Sequence, residues 1–184
     1  MKTIFGGSLF VLAGILAGFA SAAVIIENYG AAPIEPGSPW QSRDNAPGSA
    51  GHPYARDHFL LAGRFPPAAG QMREFSAARS GDGNVLNGRC DYVLAAKSVP
   101  PLWWSVVSYS GSAQATATSV MTADMAVAES DGSIRLAVSR VPQSGNWIRP
   151  PSAGGFTLLF TIARPSPNSS DETLPLFTID RSGC

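Results

Sequence analysis

The sequence predicts a mainly β protein: an antiparallel β-sandwich, jelly-roll-like, with a short helix and an N-terminal membrane helix or signal. Three observations predict it. Residues 133–139 and 156–163 alternate apolar and polar side chains with a period of two, which places one face of a strand in a core and the other in solvent. The 19 glycines and 15 prolines among 184 residues cut the chain into short elements while staying below the level of a low-complexity chain. A long uncharged and strongly apolar run lies at the N-terminus. Setting that run aside leaves a single domain of roughly 130 to 160 residues, enough to bury a core without disulfide help.

Lys2 is followed by an uncharged run over residues 3–26, and the first acidic residue is Glu27. As a helix the run spans about 36 Å, sufficient for a ~30 Å hydrocarbon core. A single-pass anchor fits. So does a cleaved signal peptide: Lys2 is the positive n-region, residues 9–20 the apolar h-region, and Ala20-Ser21-Ala22 an A-x-A cleavage site. Apolar residues continue past that site through Ala23-Val24-Ile25-Ile26, which favours the anchor, while Gly6, Gly7, Gly14 and Gly18 dilute it. Either way Lys2 stays on the cytoplasmic side and the chain beyond Glu27 crosses the membrane. The expected location is the inner membrane with a periplasmic domain, the alternative being secretion to the periplasm.

The division expected along the chain is 1–26 anchor or signal, 27–51 extended linker and 52–184 β-sandwich domain. Pro33, Pro36, Pro39 and Pro47 break up the linker. Residues 53–63 form the short helix, with Pro53 suited to its first turn and Gly63 to its stop. Among the strands, 133–139 follows the turn pair Asp131-Gly132 and points Ile134, Leu136 and Val138 inward. Strand 156–163 points Phe156, Leu158, Phe160 and Ile162 inward, and Leu159 breaks its alternation on the outer face. Less regular candidates at 73–78, 90–95, 103–109, 115–121 and 176–180 bring the total to about seven, and strands separated by turns in this number suggest a sandwich. Gly81-Asp82-Gly83-Asn84 reads as a hairpin turn, since it lacks the spacing of a dinucleotide or calcium loop.

The two cysteines, Cys90 and Cys184, are an even number in an exported chain and are not in C-x-x-C spacing. A disulfide between them closes a loop of about 95 residues, worth up to about 4 to 5 kcal/mol by chain entropy, and ties down the C-terminal segment. Two cysteines alone cannot complete a zinc site. With 13 basic against 13 acidic residues the net charge is zero, so no global field holds a nucleic acid or an anionic membrane surface.

No catalytic or cofactor motif is found, no serine sits in a G-x-S-x-G elbow, and no cofactor or metal is expected. His52 and His58 with Asp57 are the best available acid–base or metal cluster, yet a separation of six sets the two imidazoles on different sides of a helix, and solvated or capping roles fit them better. Asn168-Ser169-Ser170 matches a glycosylation sequon, a match short enough to arise by chance. The candidate ligand-binding residues are aromatic: Trp103, Trp104, Tyr109 and Trp147 could form a stacking platform for a sugar or other flat ligand. Successive tryptophans on a strand face opposite ways, so at most one of Trp103 and Trp104 belongs to a single-sided core. The competing reading packs these rings under Pro100-Pro101 and Pro150-Pro151.

The run Pro100-Pro101-Leu102-Trp103-Trp104-Ser105-Val106-Val107-Ser108-Tyr109, then Asp131-Gly132-Ser133-Ile134, then Gly145-Asn146-Trp147-Ile148 with Pro150, and Gly155-Phe156 opening a strand, resembles in order and spacing the family of domain of unknown function 1214. Pro53-Tyr54-Ala55-Arg56, Asp82-Gly83, Gly88-Arg89-Cys90-Asp91-Tyr92 and Ile179-Asp180-Arg181-Ser182-Gly183-Cys184 resemble its short, N-terminally anchored bacterial members. The chain departs from the usual pattern at Tyr109-Ser110-Gly111, where an acidic residue commonly follows the tyrosine. The resemblance implies a jelly-roll-like sandwich and no established activity. Longer relatives carry a further domain, of unknown function 1254, ahead of this one. The expectation is therefore a cell-envelope protein-binding module that pairs with a chain carrying a 1254-type domain, the alternative being a carbohydrate-binding module or enzyme that uses the aromatic groove.

Overall fold

The computed structural model describes residues 2–28, 31–42, 57, 59–60, 72–97, 103–110, 117–152, 154–163 and 176–184. One helix, α1 (Lys2–Asn28), precedes the strands β1 (Ala32–Pro33), β2 (Gln41–Ser42), β3 (Met72–Ala77), β4 (Asp91–Ala96) and β5 (Trp104–Ser110). The strands β6 (Ala117–Thr122), β7 (Ile134–Val138), β8 (Trp147–Ile148), β9 (Phe156–Ala163) and β10 (Thr178–Gly183) follow. They form a six-stranded sheet in the order β1-β2-β3-β9-β5-β6 and a four-stranded sheet in the order β10-β4-β7-β8. All the ladders are antiparallel except β7 with β8. The protein is mainly β, with two sheets in a sandwich-like arrangement.

The core follows from the alternation along each strand. Phe75, Ala77, Trp104, Val106, Phe156, Leu158, Phe160 and Ile162 of the first sheet share one buried cluster with Tyr92, Leu94, Leu136, Val138, Ile148 and Ile179 of the second. The register puts Trp104 opposite Ile162 and Val106 opposite Phe160, so their side chains emerge on one face. Phe160 is central among the rings: its centroid lies 6.1 Å from Trp40, 6.0 Å from Phe75, 6.5 Å from Trp104 and 5.4 Å from Phe177. Leu159 projects to the outer face as the alternation requires, in register with Ser76 and Val107, and is nonetheless buried.

Residues 31–42, expected within the linker, are instead part of the first sheet. Pro33 pairs with Gln41, and Gln41 with Ser76 of β3. The cause is Trp40, whose indole is buried in the core while its Nε1 donates to the Phe177 carbonyl at 2.6 Å. Burying so large a ring with its one donor satisfied outweighs the turn-forming character of the prolines around it. The expected strands are all present, 156–163 with the same ends and the others with ends moved by up to three residues, and β1, β2 and β8 are additional, being too short to show a period. Of the helix expected at 53–63, Asp57, Phe59 and Leu60 are helical and the rest lies outside the described residues, as does the sequon at Asn168.

Cys90 and Cys184 form a disulfide with their Cα atoms 4.0 Å apart. Strand pairing brings them together: β4 and β10 run antiparallel from Thr178 opposite Ala95 to Gly183 opposite Asp91, and one further residue along each reaches the two cysteines. The turn at 80–84 holds the same strand from the other side. Its backbone closes through Gly83 N to Ser80 O and Ser80 N to Asn84 O, both 2.9 Å, with Gly83 at φ +81°. Gly81 N then donates to Ile179 O at 2.8 Å, an approach so close that a Cβ on Gly81 would lie 3.3 Å from that oxygen.

Two outcomes follow. Phe160→Ala removes the ring that four others touch and is expected to cost about 3 to 5 kcal/mol in urea unfolding; a loss below about 1 kcal/mol would show that the cluster stands without it. Replacing both cysteines by serine is expected to lower unfolding free energy by up to about 4 to 5 kcal/mol, the loop-closure value for a separation of 94 residues, with the folded spectrum retained.

Candidate functional site

The four aromatic candidates do not share a surface. Trp104 belongs to the core at 2% exposure, its ring edge-on to Phe177 at 5.7 Å, so it cannot meet a ligand. Trp103, its neighbour, faces the other way and is 48% exposed, as the alternation along β5 requires. Tyr109 is half-buried six residues further along the same strand, past a register shift in the β5–β6 ladder. Trp147 is on the other sheet, half-buried, with its Nε1 donating to the Ser139 carbonyl at 2.9 Å and lying 3.2 Å from the Ser139 hydroxyl. Its ring face carries the Arg149 guanidinium, 5.5 Å from the centroid. A platform of four rings is thus replaced by the core ring of Trp104, exposed Trp103 just before β5, half-buried Tyr109 on β5, and Trp147 engaged by a cation.

Two open grooves flank β7 and β8. One, of about 320 Å³, includes Val93, Ala137, Glu129, Arg135 and Asn146, so a carboxylate and a guanidinium share its wall. Asn146 is a structural bracket there: its amide nitrogen donates to the carbonyls of Val127 (2.7 Å) and Arg135 (2.9 Å), and its oxygen accepts from Val127 N (2.7 Å). The other, of about 450 Å³, is lined by Ser110, Thr118, Arg140, Arg149, Ser152 and the Pro150-Pro151 pair. The two arginines escaped the sequence reading because lone cations after strands usually mark solvated ends. Their common position appears only once β7 and β8 are known to run parallel.

His52 and His58 lie outside the described residues, and among the described residues no group of three metal-ligating side chains forms. The Gly81-Asp82-Gly83-Asn84 segment is the expected turn, and its carboxylate acts as a clamp. Asp82 accepts from the Ser80 hydroxyl, from Asn84 through its amide (2.8 Å) and backbone N–H (3.1 Å), and from Arg181 of β10 (2.9 Å). These bonds, Ser80 first, hold its carboxyl far below the usual carboxylate range. At Asp131 the Ser133 hydroxyl and N–H lower the carboxyl in the same way, around a turn with Gly132 at φ +80°.

The fold and these grooves define a mainly β domain of two facing sheets behind an apolar N-terminal helix. A profile described as protein of unknown function (DUF1214) matches residues 71–167, and the chain belongs to that family. None of the curated proteins compared with the chain matches it. Among solved structures it is similar to an uncharacterized protein from Burkholderia cenocepacia, with 16% identity and a TM-score of 0.50 over 93% of this chain and 49% of that one. It is also similar to the VPA0106 protein from Vibrio parahaemolyticus, with 18% identity and a TM-score of 0.49 over 68% of this chain and 34% of that one. The chain therefore spans about half the length of the first and a third of the second.

The depressed Asp82 carboxyl sets a pH dependence. A folded value below the unfolded one contributes stability that is complete above the ordinary carboxylate pKa of ~3.9 and is lost as pH falls toward the folded value. Unfolding of Asp82→Ala beside the unmutated chain is expected to show a constant deficit at neutral pH that shrinks below pH ~4. A deficit independent of pH would mean that the carboxylate charge plays no part in the clamp.

Proposed function

We propose that the chain is a cell-envelope β-sandwich acting as a protein-binding module, with α1 crossing the inner membrane once, the sandwich in the periplasm, and a separate chain carrying a 1254-type domain as its partner. The observation that carries the reading is one of length. Almost all of this chain aligns with only half of the Burkholderia protein, so a protein of related fold has as much chain again outside the shared part. A surface that meets such a neighbour in a protein of related fold is a candidate surface for a protein partner here. Trp103 at 48% and Val120 at 46% exposure offer apolar area near the β6 margin of the six-stranded sheet, and tryptophan is prominent among the residues that anchor interfaces.

The location rests on α1 and the disulfide. Residues Gly7–Ile26 have a mean hydropathy of 2.6, and the described residues of this stretch have no buried side chain to explain that character by packing. A disulfide persists in an oxidising compartment, which the periplasm is and the cytoplasm is not. Cleavage after Ala22 would give the same domain as a soluble periplasmic protein, and N-terminal sequencing separates the two products. A carbohydrate-binding or enzymatic role for the aromatic groove draws no support from the ring positions, since Trp104 is in the core.

Co-expression with a chain carrying a 1254-type domain is expected to give a complex that survives gel filtration, and Trp103→Ala is expected to weaken it about tenfold or more. Elution of the two chains apart at concentrations of about 10 μM, well above what a specific interface needs, would refute the pairing.

A further inference from the structure

We propose that the groove of Arg140 and Arg149 binds a phosphate-type oxyanion, with room beside it for the organic body of a phosphate monoester. The proposal is independent of the protein-partner reading. Its first support is the way the chain delivers the two cations. β7 and β8 run parallel, with Ala137 opposite Trp147 and Val138 opposite Ile148, and Ser139 N continues the ladder to Ile148 O at 3.2 Å. Parallel strands end on the same side, so the residues that follow, Arg140 and Arg149, leave the sheet together and line one groove.

The second support is that the groove is built rather than incidental. The Arg149 backbone is tied across to the opposite sheet, its carbonyl accepting from the Ser108 hydroxyl at 2.8 Å, and β5 runs on from there to Ser110 in the groove wall. The Arg149 guanidinium sits over the Trp147 ring, which the two contacts to Ser139 hold in place. Pro150 and Pro151 are buried and fix the chain directly behind Arg149. A guanidinium held on an aromatic face and on a rigid backbone loses less conformational freedom on binding than a free one.

The third support is the chemistry of the lining. Two arginines and the hydroxyl residues Ser110, Thr118 and Ser152 line it, all side chains able to donate, and among the described residues no carboxylate lines it. Among the described residues neither arginine forms an ion pair, unlike Arg181 with Asp82. Two arginines lining one groove concentrate positive charge there in a chain of zero net charge. A phosphate monoester carries about −1.5 to −2 charges and three acceptor oxygens, which matches two guanidiniums and three hydroxyls better than a single carboxylate does. The volume of about 450 Å³ is that of a small-molecule site rather than of one ion.

The test uses the full chain in a non-ionic detergent and three probes in calorimetry: inorganic phosphate, phenyl phosphate, and dihexanoyl phosphatidic acid, a short-chain lipid. Saturable binding of at least one probe is expected. Arg140→Ala and Arg149→Ala should each weaken it by about ten- to a hundredfold, and the double variant should remove it. Both side chains are exposed, so melting temperatures should not move, which separates lost binding from lost folding. Trp147→Phe keeps a ring under Arg149 but loses both contacts to Ser139, and should weaken binding less than removal of either guanidinium does. Tightest binding of phenyl phosphate would assign a soluble ester, of inorganic phosphate the free ion, and of the short-chain lipid a headgroup; each supports the site. Failure of all three probes to bind, or binding unchanged in the double variant, overturns it.

Discussion

The ring of Phe160 is the contact on which the rest of the structure depends. It sits in the central strand β9 and touches Trp40 from the N-terminal segment, Phe75 from β3, Trp104 from β5 and Phe177 just before β10. Four stretches of chain far apart in sequence are thus held by one side chain, and both sheets close over the cluster. Aromatic pairs add about 0.5 to 1.5 kcal/mol each beyond the area they bury, and their tilted and edge-on geometries also fix the angle at which strands approach. The hydrogen bond from the Trp40 indole to the Phe177 carbonyl satisfies that ring's one polar atom inside the cluster.

Much of the fold is legible in the sequence because the strands that matter most alternate cleanly. Phe156, Leu158, Phe160 and Ile162 are all buried, as are Ile134, Leu136 and Val138, so the two best-patterned strands supply an inner face to each sheet. The failures have physical causes. Residues 31–42 look like linker because their prolines and glycine dominate local propensity, whereas the decisive residue is one tryptophan whose burial is a tertiary event. Strands of two residues have no period to read. The cysteine pairing needed only a count and a compartment, and the antiparallel ladder then supplied the geometry.

The site was less legible than the fold. Four exposed-looking aromatics suggest a stacking surface, but a strand sends neighbours to opposite faces, and Trp104 went inward while Trp103 went outward. Trp147 is neither free nor buried; it carries a cation on its face and so helps to aim Arg149. The two arginines are nine residues apart with a loop between them, and nothing in their local sequence says that the strands before them are parallel. Asn146, one residue before Trp147, is a bracket for the backbone of Val127 and Arg135 rather than a site residue. Family membership places this chain without assigning it chemistry.

The position of Phe177 has a consequence for the order in which the protein can take shape. A chain made from its N-terminus presents α1, then Trp40, then the strands β3 to β9, and only afterwards the segment 176–184. Until that segment arrives, the Trp40 indole has no carbonyl to meet, Phe160 lacks its nearest ring, and β4 has an open edge where β10 should pair. Until then the domain is an unfinished sandwich with aromatic surface on view, the kind of intermediate that is prone to aggregate. Cys90 waits through the same interval with its thiol unpaired, because its partner Cys184 lies in that segment.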